Sequence, residues 1–502
     1  MLACRTGGGR GFIGESRKTM SWWRWRGLVL AVGVASATGP ARAAGPPNVL
    51  FIVADDASRH FGATYGCRWV RTPHIDRLAA AGIVFDNFYV ATSKCSPSRA
   101  AMLTGRNPWQ LGAAANHWPV FPPEFMAFTE AVAAKGVACG GDGKLWAPGE
   151  ARTAMGAPRD FGMQRPPGGG EQAAGVGLAA FLRQRPDGIP FFYWFGSRRP
   201  HRPYERDAGL AAGKKPADVD RVPAIWPDDE AVRRDLLDYA AAIEAFDVEV
   251  GSLLEALDAA GEQENTLVVV TSDNGMPFPR VKGHTFDEAH HLPLVVRWPA
   301  GIVHPGRREA ALVGEIDFAP TFLELFGVDG QAAGMAPITG TSFTDLLRDS
   351  PRHERPFVII GRERNDTQGR PGTPSGLGYP ARGIRQGDWL YVHNFAPDRW
   401  PCGDPDRGLN DTDDGPTKRA IVAAGEGDPF WKLCFGKRPA DELYDLAADP
   451  DCVRNLAVEP GVAARRETLR QALMAELTRQ QDPRVLGRGD EFDRYESPRP
   501  PR

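Results

Sequence analysis

Several things are scarce in this chain of 502 residues. Cysteine occurs seven times, too thinly for a disulfide-dense miniature scaffold. Neither sign of charge dominates: 60 Lys and Arg stand against 63 Asp and Glu, a formal net charge of −3. Seven of the basic residues fall in the first 43 positions, beside Glu15 alone, so the remainder carries 53 basic and 62 acidic side chains. A mildly acidic body is a poor general binder of nucleic acid or anionic membrane. A polyanionic ligand would have to meet a few convergent cations inside a pocket. Apolar runs long enough for a membrane helix are missing beyond residue 43, and no internal repeat is evident. What is present is ordinary, with 42% hydrophobic and 25% charged residues, which excludes a disordered or collagen-like chain. Length suggests about three domains or two large ones.

The front end has its own character. Ser21 to Arg26 read SWWRWR, an apolar run follows from Gly27 to Ala35, and Ala41-Arg42-Ala43 closes the stretch. A basic start, a short apolar centre and an A-x-A ending describe a secretory signal peptide. Residues 1–43 are therefore expected to be a leader and the product to be periplasmic or secreted, with no membrane attachment after leader removal. Met20 competes with Met1 as the start, since residues 1–19 resemble neither signal nor domain. Six cysteines, at 67, 95, 139, 402, 434 and 452, remain after the leader. In an oxidising compartment they can pair, although the context of Cys95 argues against a disulfide there, and spacing leaves the connectivity open.

Four short apolar runs punctuate the body: Asn48–Ala54, Pro190–Phe195, Thr266–Thr271 and Leu292–Trp298. Their β-branched and aromatic content suits strands buried on both faces. Between the second and third, Val232, Leu236, Tyr239, Ile243, Phe246, Val250, Leu253 and Leu257 recur at helical steps, and Gly261 stands where a helix stops. Alternating strands and helices predict an α/β fold with a large, mostly parallel sheet. Ligands gather beyond the carboxyl ends of such strands, and three of the four runs end in polar residues. From about residue 355 the character changes, with strands expected in Arg382–Phe395 and Asp441–Leu446 and a helix in Glu459–Gln480. The expected organisation is a catalytic domain over 44–365, a smaller α+β domain over 366–481 and a loose polar tail over 482–502.

Chemistry concentrates in three groups. Cys95-Ser-Pro-Ser-Arg-Ala-Ala-Met-Leu-Thr-Gly-Arg106 puts Pro97 where a helix opens, so Cys95 lies near an N-terminus that favours anions. Asp55-Asp56 and Asp273-Asn274 follow two of the buried runs. Isolated pairs of this kind are usually turns, but four oxygen donors at two strand ends suit a hard divalent cation such as calcium. Lys144, Lys282, Arg99 and His201 supply cations and a titratable group. Fixed cations stabilise charge that spreads over the oxygens of a departing anion.

The twelve-residue stretch from Cys95 to Arg106 resembles the signature of the type I sulfatases, and the resemblance extends over roughly residues 46–480. It implies an alkaline-phosphatase-like α/β fold, a sheet sandwiched by helices with a smaller C-terminal α+β domain. It also implies that a dedicated maturation enzyme oxidises Cys95 to formylglycine, whose hydrate is the nucleophile. One calcium ion would be held by Asp55, Asp56, Asp273 and Asn274 together with residue 95. Lys144 and Lys282 would contact the sulfate, Arg99 would steady residue 95, and His201 would protonate the leaving atom. One position departs from the family: many members carry a histidine shortly after Gly-Lys, where this chain reads Gly143-Lys-Leu-Trp-Ala147. That leaves the second half-reaction without its usual base, and His117 is the candidate from another loop.

Tyr379-Pro-Ala-Arg-Gly-Ile-Arg385, Leu390-Tyr-Val-His-Asn-Phe395 and Phe435–Asp445 resemble the heparan N-sulfatase (sulfamidase) branch. The substrate implied is a sulfated sugar such as N-sulfoglucosamine, with Glu363, Arg364 and Arg382 as candidate contacts. N- and O-sulfates both remain open. A phosphonate or phosphate ester hydrolase of the same superfamily is the enzymatic alternative, and a non-catalytic binder of sulfated glycans is the other.

Overall fold

In a computed structural model, which describes residues 45–167, 174–350, 352, 354–365 and 377–498, seven strands form one central sheet. They are β1 (Asn48–Ala54), β2 (Ile83–Tyr89), β3 (Ala138–Gly143), β4 (Phe191–Gly196), β5 (Thr266–Ser272), β6 (His291–Arg297) and β7 (Arg307–Gly314). The spatial order is β3-β4-β1-β5-β6-β2-β7. The first four are mutually parallel, whereas β6 runs antiparallel to both β5 and β2. The expected leader lies outside the described residues, among which no helix is long and apolar enough to cross a membrane.

β1 shows why these runs are apolar throughout. Leu50, Ile52 and Ala54 enter one core cluster while Val49, Phe51 and Val53 enter the other, so neither face of the strand meets water. The long helix Glu230–Ala259 covers the first face. All eight of its periodic apolar residues, Val232 through Leu257, are buried there. Asp229 caps its start by accepting the Val232 N–H, and Gly261, at φ +71°, takes the left-handed turn that ends it. The six described cysteines are buried free thiols, so the expected pairing is absent among the described residues.

A second, antiparallel sheet follows, ordered β8 (Val358–Arg362), β9 (Ala381–Gln386), β10 (Trp389–Asn394) and β11 (Asp441–Asp445). The helix Ala463–Arg479 packs Leu469, Leu473 and Leu477 against Ile384, Tyr391 and Leu443 of that sheet. Two expected boundaries need correction. β8 belongs to the second sheet although it precedes the expected boundary at residue 365. The stretch after 482 is no loose tail as far as Pro498, the last residue described, since Asp482 and Phe492 are buried and anchor it.

The same anchoring reassigns two expected substrate contacts. Arg382 is fully buried, with Nε 2.7 Å from Asp482 Oδ2 and Nη2 2.7 Å from Glu363 Oε1. Arg484 reaches the other oxygen of Glu363 at 2.7 Å. Glu363 and Arg382 thus staple the C-terminal segment to the second sheet. Removing one member strands the others as buried charges, which costs about 3–5 kcal/mol. Arg382→Ala should therefore lower unfolding stability by that order in a denaturant titration, and an unchanged midpoint would reject the stapling role.

Candidate active site

Four parallel strands end within one residue of each other. Register pairs Val53 with Gly196, Ala54 with Ser272, and Gly143 with Gly196. The residues just beyond, Asp55-Asp56, Lys144, His201 and Asp273-Asn274, are therefore delivered to one edge. Close approach there needs Gly196, because a Cβ at that position would lie 1.6 Å from the Lys144 carbonyl oxygen. Asp56 adopts φ +73°, a left-handed turn that Asp tolerates better than most residues. Its N–H donates to Asp273 Oδ1 at 3.1 Å, tying the two strand ends together.

The signature stretch forms the helix Cys95–Thr104, buried along its whole length. Cys95 is its first residue, with Sγ 3.5 Å from Asp55 Oδ1 and 3.9 Å from Asp56 Oδ1. Arg99, four residues on, shares that face. Its Nε donates to Asp273 Oδ2 at 2.7 Å, and Nη1 donates to the Leu145 and Lys144 carbonyls. Lys144 Nζ lies 2.6 and 2.7 Å from the two oxygens of Asp55. Lys282 Nζ sits 2.7 Å from Asp56 Oδ2 and 3.2 Å from Asp413 Oδ2. His201 Nε2 stands 3.8 Å from Asp56 Oδ2, on a ring 36% exposed.

Electrostatics follow from this packing. Burial is the largest influence on Asp55 and works to raise its pKa, but Lys144, His201 and Arg99 together outweigh it and hold that carboxyl below its usual value. Burial opposes charge on Lys282, yet Asp413 and Asp56 keep its pKa well above normal. The Cys95 thiol is pushed far up, chiefly by burial, against the pull of Lys144 and Lys282. As a thiol it is a poor nucleophile.

The donor set fits a hard cation. Asp55, Asp56 and Cys95 bring ligand atoms within 4.8 Å of one another. Asn274 donates from Nδ2 to Asp56 Oδ1 at 2.7 Å and to the Gly275 carbonyl at 2.9 Å, while its Oδ1 is buried without a hydrogen-bond partner. Such an oxygen costs about 1–3 kcal/mol unless something completes it. Carboxylate and amide oxygens are calcium-type ligands.

Above these groups opens a cavity of about 750 Å³, lined by Asp55, Cys95, Lys144, His201 and Lys282. Ala147 and His117 line it as well. The His117 loop is held by backbone contacts to Arg364: the His117 N–H donates to the Arg364 carbonyl at 2.9 Å, and Asn116 Oδ1 accepts the Arg364 N–H at 3.1 Å. Asn116 Nδ2 also donates to the Phe492 carbonyl at 2.8 Å. Glu363, Arg364 and Arg382 do not line the cavity. Sequence reasoning missed Asn410, Thr412, Asp413 and Asp414, which do. The acid-rich run at 410–414 was the available signal.

A family model described as Sulfatase matches residues 47–328, more than half of the chain. The chain belongs to the sulfatase family. Human N-sulphoglucosamine sulphohydrolase is 28% identical over 486 residues, covering 89% of this chain and 91% of that protein. An N-acetylglucosamine-6-O-sulfatase from Bacteroides thetaiotaomicron is 24% identical, covering 61% and 74%. A solved structure in complex with its substrate D-glucosamine-2-N,6-O-disulfate superposes with TM-score 0.61 at 21% identity, over 87% of this chain and 98% of the other. The phosphonate monoester hydrolase of Agrobacterium radiobacter shares the fold too, with TM-score 0.58 at 19% identity, over 88% and 97%. Enzymes of this family are sulfuric ester hydrolases, and the match spans every strand end described above but stops before Asp413.

Burial governs all six described thiols. An aromatic disulfide reagent should react slowly with the native protein. After unfolding it should titrate six thiols besides Cys4 if residue 95 is unmodified, and five if it has been oxidised. Fast labelling of Cys95 in the folded state would contradict the buried placement.

Proposed function

We propose that this chain is an exported sulfatase that removes sulfate from heparan-type sugars, with N-sulfoglucosamine the substrate best supported. The observation that carries the reading is Cys95 Sγ 3.5 Å from Asp55, in a cavity whose lining also includes Lys144 and Lys282. Relatives acting on N-sulphoglucosamine and other sulfated sugars support the substrate class. A maturation enzyme is needed to convert Cys95 to formylglycine, a two-electron oxidation requiring an external oxidant such as dioxygen. The hydrated aldehyde then offers one hydroxyl to attack sulfur and a second to expel sulfate. Calcium bound by Asp55, Asp56, Asp273 and Asn274 with residue 95 would neutralise charge on the sulfate oxygens.

The chain's own side chains do the rest. Lys144 and Lys282 grip the sulfate, and Arg99, locked to Asp273, fixes the base of the nucleophile's helix. His201 Nδ1 bonds the Arg202 carbonyl, so Nδ1 carries a proton and Nε2 hands the other to the leaving oxygen or nitrogen. Histidine suits this because its reference pKa is near neutral. Ala147 stands where many relatives place a base. His117, in the same cavity wall, takes the proton from the hydroxyl of residue 95 that expels sulfate.

Protein matured in a host with the converting enzyme should release sulfate from N-sulfoglucosamine and from an aryl sulfate, and Cys95→Ala should lose at least about a thousandfold. Faster cleavage of the matching aryl phosphate would favour the phosphatase reading, and no turnover of any ester would favour the binder. In the same assay His201→Ala should cost about 10²–10⁴-fold on poor leaving groups and much less on good ones. Equal loss across both rejects the acid role.

His117→Ala should slow the second step selectively. The peptide containing residue 95 should then accumulate the mass of one SO₃ group during turnover, and Ala147→His in that background should clear it. Loss of turnover with no such mass would place the defect elsewhere.

A further inference from the structure

Lys282 Nζ is shared between Asp56 Oδ2 at 2.7 Å and Asp413 Oδ2 at 3.2 Å, on a side chain only 4% exposed. Asp56 comes from a strand end of the first sheet. Asp413 comes from a segment far along the chain, beyond the stretch matched by the family model. A cation placed to grip sulfate therefore carries a carboxylate at its flank.

The segment bearing Asp413 is built, not draped. Lys418 Nζ, on a largely buried side chain, donates to the carbonyls of Gly408, Leu409 and Thr412 at 3.0, 2.9 and 2.9 Å. The Asp411 N–H donates to the Cys402 carbonyl at 3.0 Å. One ammonium holding three carbonyls fixes the loop before any ligand arrives, which lowers the cost of binding. The cavity is thus lined by Lys144 and Lys282 and, from this pre-set loop, by the carboxylates Asp413 and Asp414, the latter paired with Arg419 at 2.6 Å.

We propose that Asn410–Asp414 is the leaving-group subsite and that Asp413 selects a departing sugar carrying an amine. The proposal rests on the sulfatase reading and settles the choice between N- and O-linked sulfate in favour of nitrogen. In a sulfamate the S–N bond breaks, its electron pair stays on nitrogen, and one proton from His201 gives the neutral amine. A second proton from solvent gives the ammonium, which pairs with the Asp413 carboxylate. A uronic acid in the same place would set carboxylate against carboxylate and be rejected.

Binding tests this without catalysis. Calorimetric titration of Cys95→Ala protein should show glucosamine binding about tenfold tighter than glucose, with glucuronate weaker than both. Asp413→Asn in that background should erase the gap between glucosamine and glucose, with thermal unfolding confirming that the variant is folded. Equal affinity for the two sugars, or a gap that survives Asp413→Asn, overturns the proposal.

In matured enzyme, Asp413→Asn should lower the ratio of kcat/KM for N-sulfoglucosamine over an aryl sulfate about tenfold. An equal loss on both substrates would mean that Asp413 acts only through Lys282, and would overturn the selective role. If matured wild type releases sulfate from neither substrate, the sulfatase reading fails, while the titration still decides whether the amine subsite exists.

Discussion

Three carboxylates and three cations share a space from which water is largely excluded. Asp55, Asp56 and Asp273 are buried at two adjoining strand ends, and Arg99, Lys144 and Lys282 close on them at 2.6–2.7 Å. Ions taken out of water are costly unless each finds a partner of opposite sign. The chain meets that condition by drawing the partners from three separate places: the nucleophile's helix, the loop after β3 and the loop after β5. Anything that misplaced one of these elements would leave a buried charge uncompensated. The electrostatic balance therefore constrains the fold alongside the apolar core.

That balance also explains the chemistry available. A buried thiol beside two carboxylates is a poor nucleophile. The cations lie where a tetrahedral anion would need them, and the partnerless oxygen of Asn274 waits for a positive charge. The sulfatase membership and the geometry thus converge from independent directions. The C-terminal sheet is not an appendage to this site, because its connections hold the His117 loop through Arg364 and Phe492 and bring Asp413 against Lys282.

Much was legible before any coordinates. Continuous apolar runs marked β1, β4, β5 and β6, and the step-of-three-and-four pattern marked all eight buried residues of the long helix. The Cys95 signature and the acid pairs after two strands pointed to one site. What could not be read were partnerships. Arg382 and Glu363 looked like ligand contacts because charged residues near a domain junction usually face solvent, yet they neutralise each other and Asp482 in the interior. The segment after 482 looked loose because Asp482 and Phe492 are isolated anchors without periodicity. The boundary drawn at residue 365 fell after β8 because a strand carries no mark of the sheet it joins.

Local character, then, was settled by the order of residues: which stretches must be buried, which helix must form, and which side chains are candidates for a site. Those properties depend on neighbours a few positions away. Meeting of distant groups was settled only by the folded chain, which brought Asp413 to Lys282, His117 to the wall beside Ala147, and Asp482 to Arg382. Such pairings depend on strand order and on the balance of buried charge over hundreds of residues, and no window along the sequence contains both partners.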